Sequence, residues 1–162
     1  MRTHKLIPAL ALTAALAVPA ALAAAPPAGA TARAATCRVE LDYIDANNVD
    51  ESDNVDEIRI NLGGVMYPAG NTWVNMWTGA RAYTASFGSP SATISSAGSA
   101  LFSLREVTPP WVGSGTNLGS ITAQGSVCAT LSTGQSVGLT KTITGTDDTY
   151  YSYYIRLEMT GL

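Results

Sequence analysis

Apolar and polar residues alternate with a period of two along most of this chain, and no segment carries a 3.6-residue apolar stripe. Residues 37–44 alternate cleanly, with Val39, Leu41 and Tyr43 on one face. Residues 57–62 repeat the pattern and end on Gly63-Gly64, a turn signal. Further strands are expected at 72–77, 81–87, 101–107, 119–123, 127–131 and 135–140. Turn chemistry separates them at Pro68-Ala69-Gly70, Gly88-Ser89-Pro90, Pro109-Pro110, Gly113-Ser114-Gly115 and Thr133-Gly134. Residues 141–144, the turn Gly145-Thr146-Asp147-Asp148 and a tyrosine-rich strand over 149–159 read as a closing hairpin. About eight short strands at this spacing predict one all-β domain, an antiparallel β-sandwich.

The first 35 residues follow another logic. Arg2, His4 and Lys5 precede an apolar run over 6–25, and small residues follow with A-x-A signals at Ala28-Gly29-Ala30 and Ala32-Arg33-Ala34. That layout is a secretory signal peptide, whose removal leaves residues 36–162 as the single domain. A membrane anchor is the competing reading, but the run is rich in Ala and contains Pro8 and Pro19. The expected location is therefore extracellular, and the Ala-rich leader looks like those of exported bacterial proteins.

Cleavage changes the charge. Residues 36–162 keep six basic side chains and all twelve acidic ones, so the net charge moves from −3 to −6. Nucleic acid and anionic membrane surfaces both require a basic footprint and are disfavoured as partners. His4 is the chain's one histidine and leaves with the leader. Its loss excludes Ser-His-Asp and Cys-His nucleophile systems, and zinc or haem sites held by His. Cys37 and Cys128 form an even pair in an exported chain and predict a disulfide.

Eight of the twelve carboxylates fall between positions 40 and 57: Glu40, Asp42, Asp45, Asp50, Glu51, Asp53, Asp56 and Glu57. Charges this dense must be solvated, paired or neutralised, and few cationic side chains are at hand. Ca²⁺ takes six to eight oxygen ligands, which Asp45, Asn47, Asp50, Asp53 and Asp56 can supply from one loop. Glu106, with Asp147 and Asp148, is a further candidate from neighbouring loops. The segment is not an EF-hand, because it lacks the sixth-position glycine and flanking helices. The competing reading is a solvated loop.

This order of features resembles C2-type β-sandwiches. A strand leads into the acidic residues 45–57, and an alternating strand with a double glycine follows, as at the first calcium loop of those domains. Leu104-Arg105-Glu106-Val107, then Asn117-Leu118-Gly119-Ser120-Ile121, resembles their later strand and loop. The closing hairpin from Gly145 to Leu157 is similar to that of small secreted bacterial C2-like proteins. The resemblance implies a calcium-ordered binding module. Thr108, Ser114 and Asn117 stand where such sites carry further aspartates, so it does not extend to a multi-ion or phospholipid site.

Two other features invite a partner. Trp73 and Trp77, with Tyr67, Tyr83 and Trp111, can form an aromatic platform for sugar rings, though core packing is the commoner use of such residues. Trp111 sits among Pro109, Pro110 and Gly115, where a stiff loop can anchor a protein partner as secreted inhibitors do. No two carboxylates are marked as a catalytic pair, so an enzyme is not expected. The expectation is a secreted, non-catalytic module with a calcium-ordered loop and a protein or carbohydrate partner. The alternative is an inhibitor or antagonist acting through residues 109–115.

Overall fold

The computed structural model describes residues 33–51 and 53–162. The period-2 segments become ten strands: β1 (Thr36–Asn48), β2 (Asp56–Leu62), β3 (Val65–Tyr67), β4 (Val74–Met76), β5 (Arg81–Tyr83), β6 (Ser91–Ser95), β7 (Ser99–Thr108), β8 (Trp111–Gln124), β9 (Ser136–Thr146) and β10 (Tyr150–Gly161). They form two antiparallel sheets. In the first the order is β5-β1-β10-β9, with β6 also paired to β1. In the second it is β3-β2-β7-β8, with β4 also paired to β2.

The sheets face each other across alternate residues, as a sandwich requires. Leu41 and Ile44 from β1, and Tyr153, Ile155, Leu157 and Met159 from β10, supply one inner face. Ile58 and Ile60 from β2, with Phe102 and Leu104 from β7, supply the other. All are fully buried. The same alternation carries Asp56 and Glu106 inward, since they continue the rows of Ile58 and Leu104.

Cys37 and Cys128 form the expected disulfide across 91 positions of sequence. Residues 127–131 are not the expected strand. A helical turn, α1 (Gly125–Cys128), occupies this place and is followed by turns. A Cβ at Gly125 would lie 2.3 Å from the Ser95 carbonyl oxygen, so the chain turns tightly here to deliver Cys128 to β1. Residues 109–115 are not the expected stiff loop either. Pro109 and Pro110 form the tip of the β7–β8 hairpin, where Thr108 lies opposite Trp111, and the backbone is strand from Trp111 onward. The side chain of Trp111 lies outside the described residues. Arg59 holds the loop after β3, donating from Nη2 to the Pro68 and Gly70 carbonyls at 2.7 and 2.8 Å.

Candidate metal centre

β1 runs through Asn48, so the first four residues of the acidic segment are strand, and the described loop residues before β2 are 49–51 and 53–55. That loop and the β9–β10 turn meet at one end of the sandwich. Asp50, only 1 % exposed, is the joint between them. Its carboxylate accepts the Thr149 N–H at 2.9 Å and the N–H groups of Asp147 and Asp148 at 3.3 Å each. In return the Thr149 hydroxyl donates to the Asp50 carbonyl, and the Asn48 amide donates to the Tyr150 carbonyl.

Asp56 organises the loop from beneath. Its carboxylate accepts the Asp50 N–H at 2.8 and 3.0 Å, the Glu51 N–H at 3.0 Å and the Tyr153 hydroxyl. These donors replace the water that a buried carboxylate loses, which is how its charge is tolerated.

Among the described residues, Glu106 has no such donors from the backbone. It is 8 % exposed, and its carboxyl shares a hydrogen bond with that of Glu51 while facing Asp56 and Asp50. Burial first, then the Glu51 contact and these negative neighbours, pushes its pKa up to about 8. Partial burial and the charges of Glu51, Asp53 and Asp56 also raise Glu57. Among the described residues, the ion pairs Arg38–Glu40, Arg81–Asp45 and Arg156–Asp42 lie on exposed or half-exposed positions of β1, β5 and β10, and none reaches this cluster.

Ligand oxygens of Asp50, Glu106 and Asp147 all lie within 4.8 Å of one another. Oxygens bound to one Ca²⁺ at about 2.3–2.6 Å stand at most about 5 Å apart, so this set fits a single ion. Two acids in contact need a proton between them, and a divalent cation can take that proton's place.

The expected ligands divide accordingly. Asp50 and Glu106 are brought together with Asp147. Asp56 is beside them but outside the group whose oxygens lie within 4.8 Å of one another; its oxygens, like those of Asp50, accept from three donor residues. Asp45 lies on the outer face of β1 and pairs with both Nε and Nη2 of Arg81, at 2.5 and 2.7 Å. Asn47 is exposed, and so is Asp53, which accepts the Val55 N–H at 3.1 Å. Glu51, which the sequence marks only as part of the acidic run, and Tyr153, which it does not single out, complete the cluster. Tyr153 could have been found from its parity with Ile155 and Leu157, which places its hydroxyl inside the sandwich.

Among the described residues, no ring contact joins Tyr67, Trp73 and Trp77 to one another or to Tyr83. Trp73 is half-buried and donates to Asn75 at 2.8 Å, while Trp77 is exposed in the turn after β4. An open groove of about 570 Å³ lies near the other end of β2, between Leu62-Gly63-Gly64 and the Ala92–Ile94 stretch of β6. It contains no titratable cluster. Among the described residues no helix is long and apolar enough to cross a membrane.

No protein-family model matches the chain, and no curated protein matches it. Among solved structures, the chain is similar to a C2 domain of plant Extended Synaptotagmin 1, with 11 % identity and a TM-score of 0.48. That likeness covers 81 % of this chain and 98 % of the other.

Proposed function

We propose that the protein is an exported, non-catalytic binding module whose acidic end is ordered by one calcium ion. The observation that carries this reading is Glu106, a buried carboxyl in contact with Glu51 and faced by Asp50 and Asp56, with no cationic side chain among the described residues to neutralise them. A hard divalent ion held by Asp50, Glu106 and Asp147 removes that repulsion. It also ties β7 to the two loops that Asp50 already joins. The ion's part is charge neutralisation and cross-linking, and the ordered end is the surface offered to a partner. One ion on three side-chain carboxylates, completed by carbonyls and water, belongs to the weak extracellular class of about 10⁻⁴–10⁻³ M.

Calcium titration by calorimetry and thermal unfolding tests the reading. Saturable binding with a raised Tm is expected, abolished in Glu106→Gln and weakened in Asp147→Asn. An identical Tm in excess calcium and in chelator would sink it. Asp53→Asn should leave binding unchanged, because Asp53 is exposed and occupied locally.

A further inference from the structure

A second surface, away from the acidic end, has the composition of a ligand face. On the outer side of the first sheet, strand register aligns two cross-strand rows. Tyr83, Tyr43, Arg156 and Thr140 stand opposite one another across β5, β1, β10 and β9. The next row is Arg81, Asp45, Tyr154 and Thr142. The outer side of a sandwich is ordinarily solvated polar surface, so large rings there call for an explanation. Tyr83 is 57 % exposed, and Tyr43 and Tyr154 are half-buried.

The rings are held before any ligand arrives. Tyr43 is the hub: Tyr83 meets it edge-on with centroids 6.3 Å apart, and Tyr154 lies tilted by 31° at 6.1 Å. The Arg81 guanidinium stacks 3.9 Å from the Tyr43 centroid, and that of Arg156 lies at 5.9 Å on the same ring. Arg81 is itself clamped by Asp45, and Arg156 pairs with Asp42 at 3.3 Å. Tyrosine offers a large amphipathic surface with few rotors to freeze, and fixing it in advance lowers the entropic cost of binding.

The charge balance selects the ligand. Arg81 and Arg156 are matched by Asp45 and Asp42, and Arg38, Glu40 and Glu158 further along β1 and β10 leave the face one negative charge in excess, too little to recruit a polycation and of the wrong sign for a polyanion. It does offer guanidinium N–H donors, carboxylate acceptors and, on exposed Thr140, Thr142 and Thr144, hydroxyls that do both. A molecule with an apolar C–H face and a rim of uncharged hydroxyls matches this inventory. Its C–H groups meet the negative π-face of a ring, and its hydroxyls donate to Asp45 or accept from Arg81. We infer that the outer face of the first sheet binds a neutral polysaccharide, with sugar rings stacked on Tyr83 and Tyr154 and Tyr43 acting as the positioning residue between them.

The test is retention of the secreted protein on microcrystalline cellulose and on chitin, with retardation in native gels containing soluble β-glucan or xylan. Heparin and polygalacturonate serve as anionic comparators. Retention on at least one neutral polysaccharide is expected, equal in calcium and in chelator, since no residue of the acidic end takes part. Tyr83→Ala and Tyr154→Ala should each weaken it about tenfold. Trp77→Ala, outside the two rows, should leave it unchanged, with melting curves confirming that all variants fold. Three results overturn the inference: no retention on any neutral polymer, preference for the anionic ones, or retention unaffected by both tyrosine variants. Calcium dependence of retention would instead assign the binding to the acidic end.

Discussion

Tyr153 on β10 donates its hydroxyl to the Asp56 carboxylate at the start of β2, joining the two sheets through the interior with both residues fully buried. Burial, and then the bond to Asp56, keep the phenol protonated far above its ordinary range. The same carboxylate accepts the N–H groups of Asp50 and Glu51, so one buried charge fixes both the sandwich and the loop above it. Tyr153→Phe removes one donor and should cost about 1–3 kcal/mol. Asp56→Asn replaces an acceptor oxygen by a donor facing other donors, and should cost more. Urea unfolding with an unchanged m-value checks both. A loss of less than about 0.5 kcal/mol in both, typical of a bland surface change, would show that Asp56 does not bear this load.

The state of Glu106 makes stability depend on pH in a defined direction. Folded, its carboxyl stays protonated up to about pH 8, against an ordinary value of 4.5. The folded protein thus holds the extra proton, so this group's contribution is complete below about pH 4.5 and is lost as pH rises through about 8. The metal-free protein should lose more Tm between about pH 5.5 and 8.5 than Glu106→Gln does. Calcium requires the ionised carboxylate, so its affinity should rise across the same window. Parallel pH profiles for the two proteins in chelator would show that Glu106 does not titrate as described.

Alternation made the large strands legible, because each buries one face and exposes the other. It also held the inward placement of Asp56 and Glu106, through their parity with Ile58 and Leu104. What alternation does not hold is whether a carboxylate meets a cation or a backbone donor. Asp45 and Asp50 are five apart in one acidic run, yet Asp45 pairs with Arg81, 36 positions away, while Asp50 accepts hydrogen bonds from the N–H groups of residues 147–149. Those partners are set by the pairing of β1 with β5 and β10. Short strands such as β3 and β6 escaped for a related reason: three to five residues carry too few alternations to read. At 127–131 the apolar residues serve a disulfide-anchored turn, whose geometry no period encodes.

Gly145 shows how close packing selects a residue. It lies opposite Tyr151 in the β9–β10 pair, and a Cβ there would stand 2.3 Å from the Tyr151 hydroxyl oxygen. That hydroxyl cannot retreat freely, since it donates to the Leu118 carbonyl of β8 at 2.8 Å. Gly145→Ala should therefore cost about 1–3 kcal/mol by overpacking. In a Tyr151→Leu background the same change should cost much less, because the obstructing group is gone. Equal costs in the two backgrounds, read from a double-mutant cycle, would locate the penalty elsewhere.

The start of the folded domain makes a prediction about processing. The Ala34 N–H donates to the Leu131 carbonyl at 2.8 Å, Arg33 Nη1 donates to the Ala129 carbonyl at 3.2 Å, and Ala34 is 4 % exposed. Both hydrogen bonds secure the turn that follows Cys128, whose disulfide to Cys37 closes the same corner. Cleavage before Thr36 would discard Arg33 and Ala34 and free those carbonyls. Cleavage after Ala30, at the other A-x-A signal, keeps them. If the proposed export holds, the intact mass of the mature protein should correspond to a chain beginning at Thr31 rather than at Thr36. A version beginning at Thr36 should be less stable by about 1–2 kcal/mol, the worth of a buried hydrogen bond and a small apolar contact. A mature mass matching Thr36, with undiminished stability, would show that residues 33–35 are dispensable. Reduction of the disulfide should then cost about 4–5 kcal/mol from loop closure in either version, since the 91-residue separation is the same.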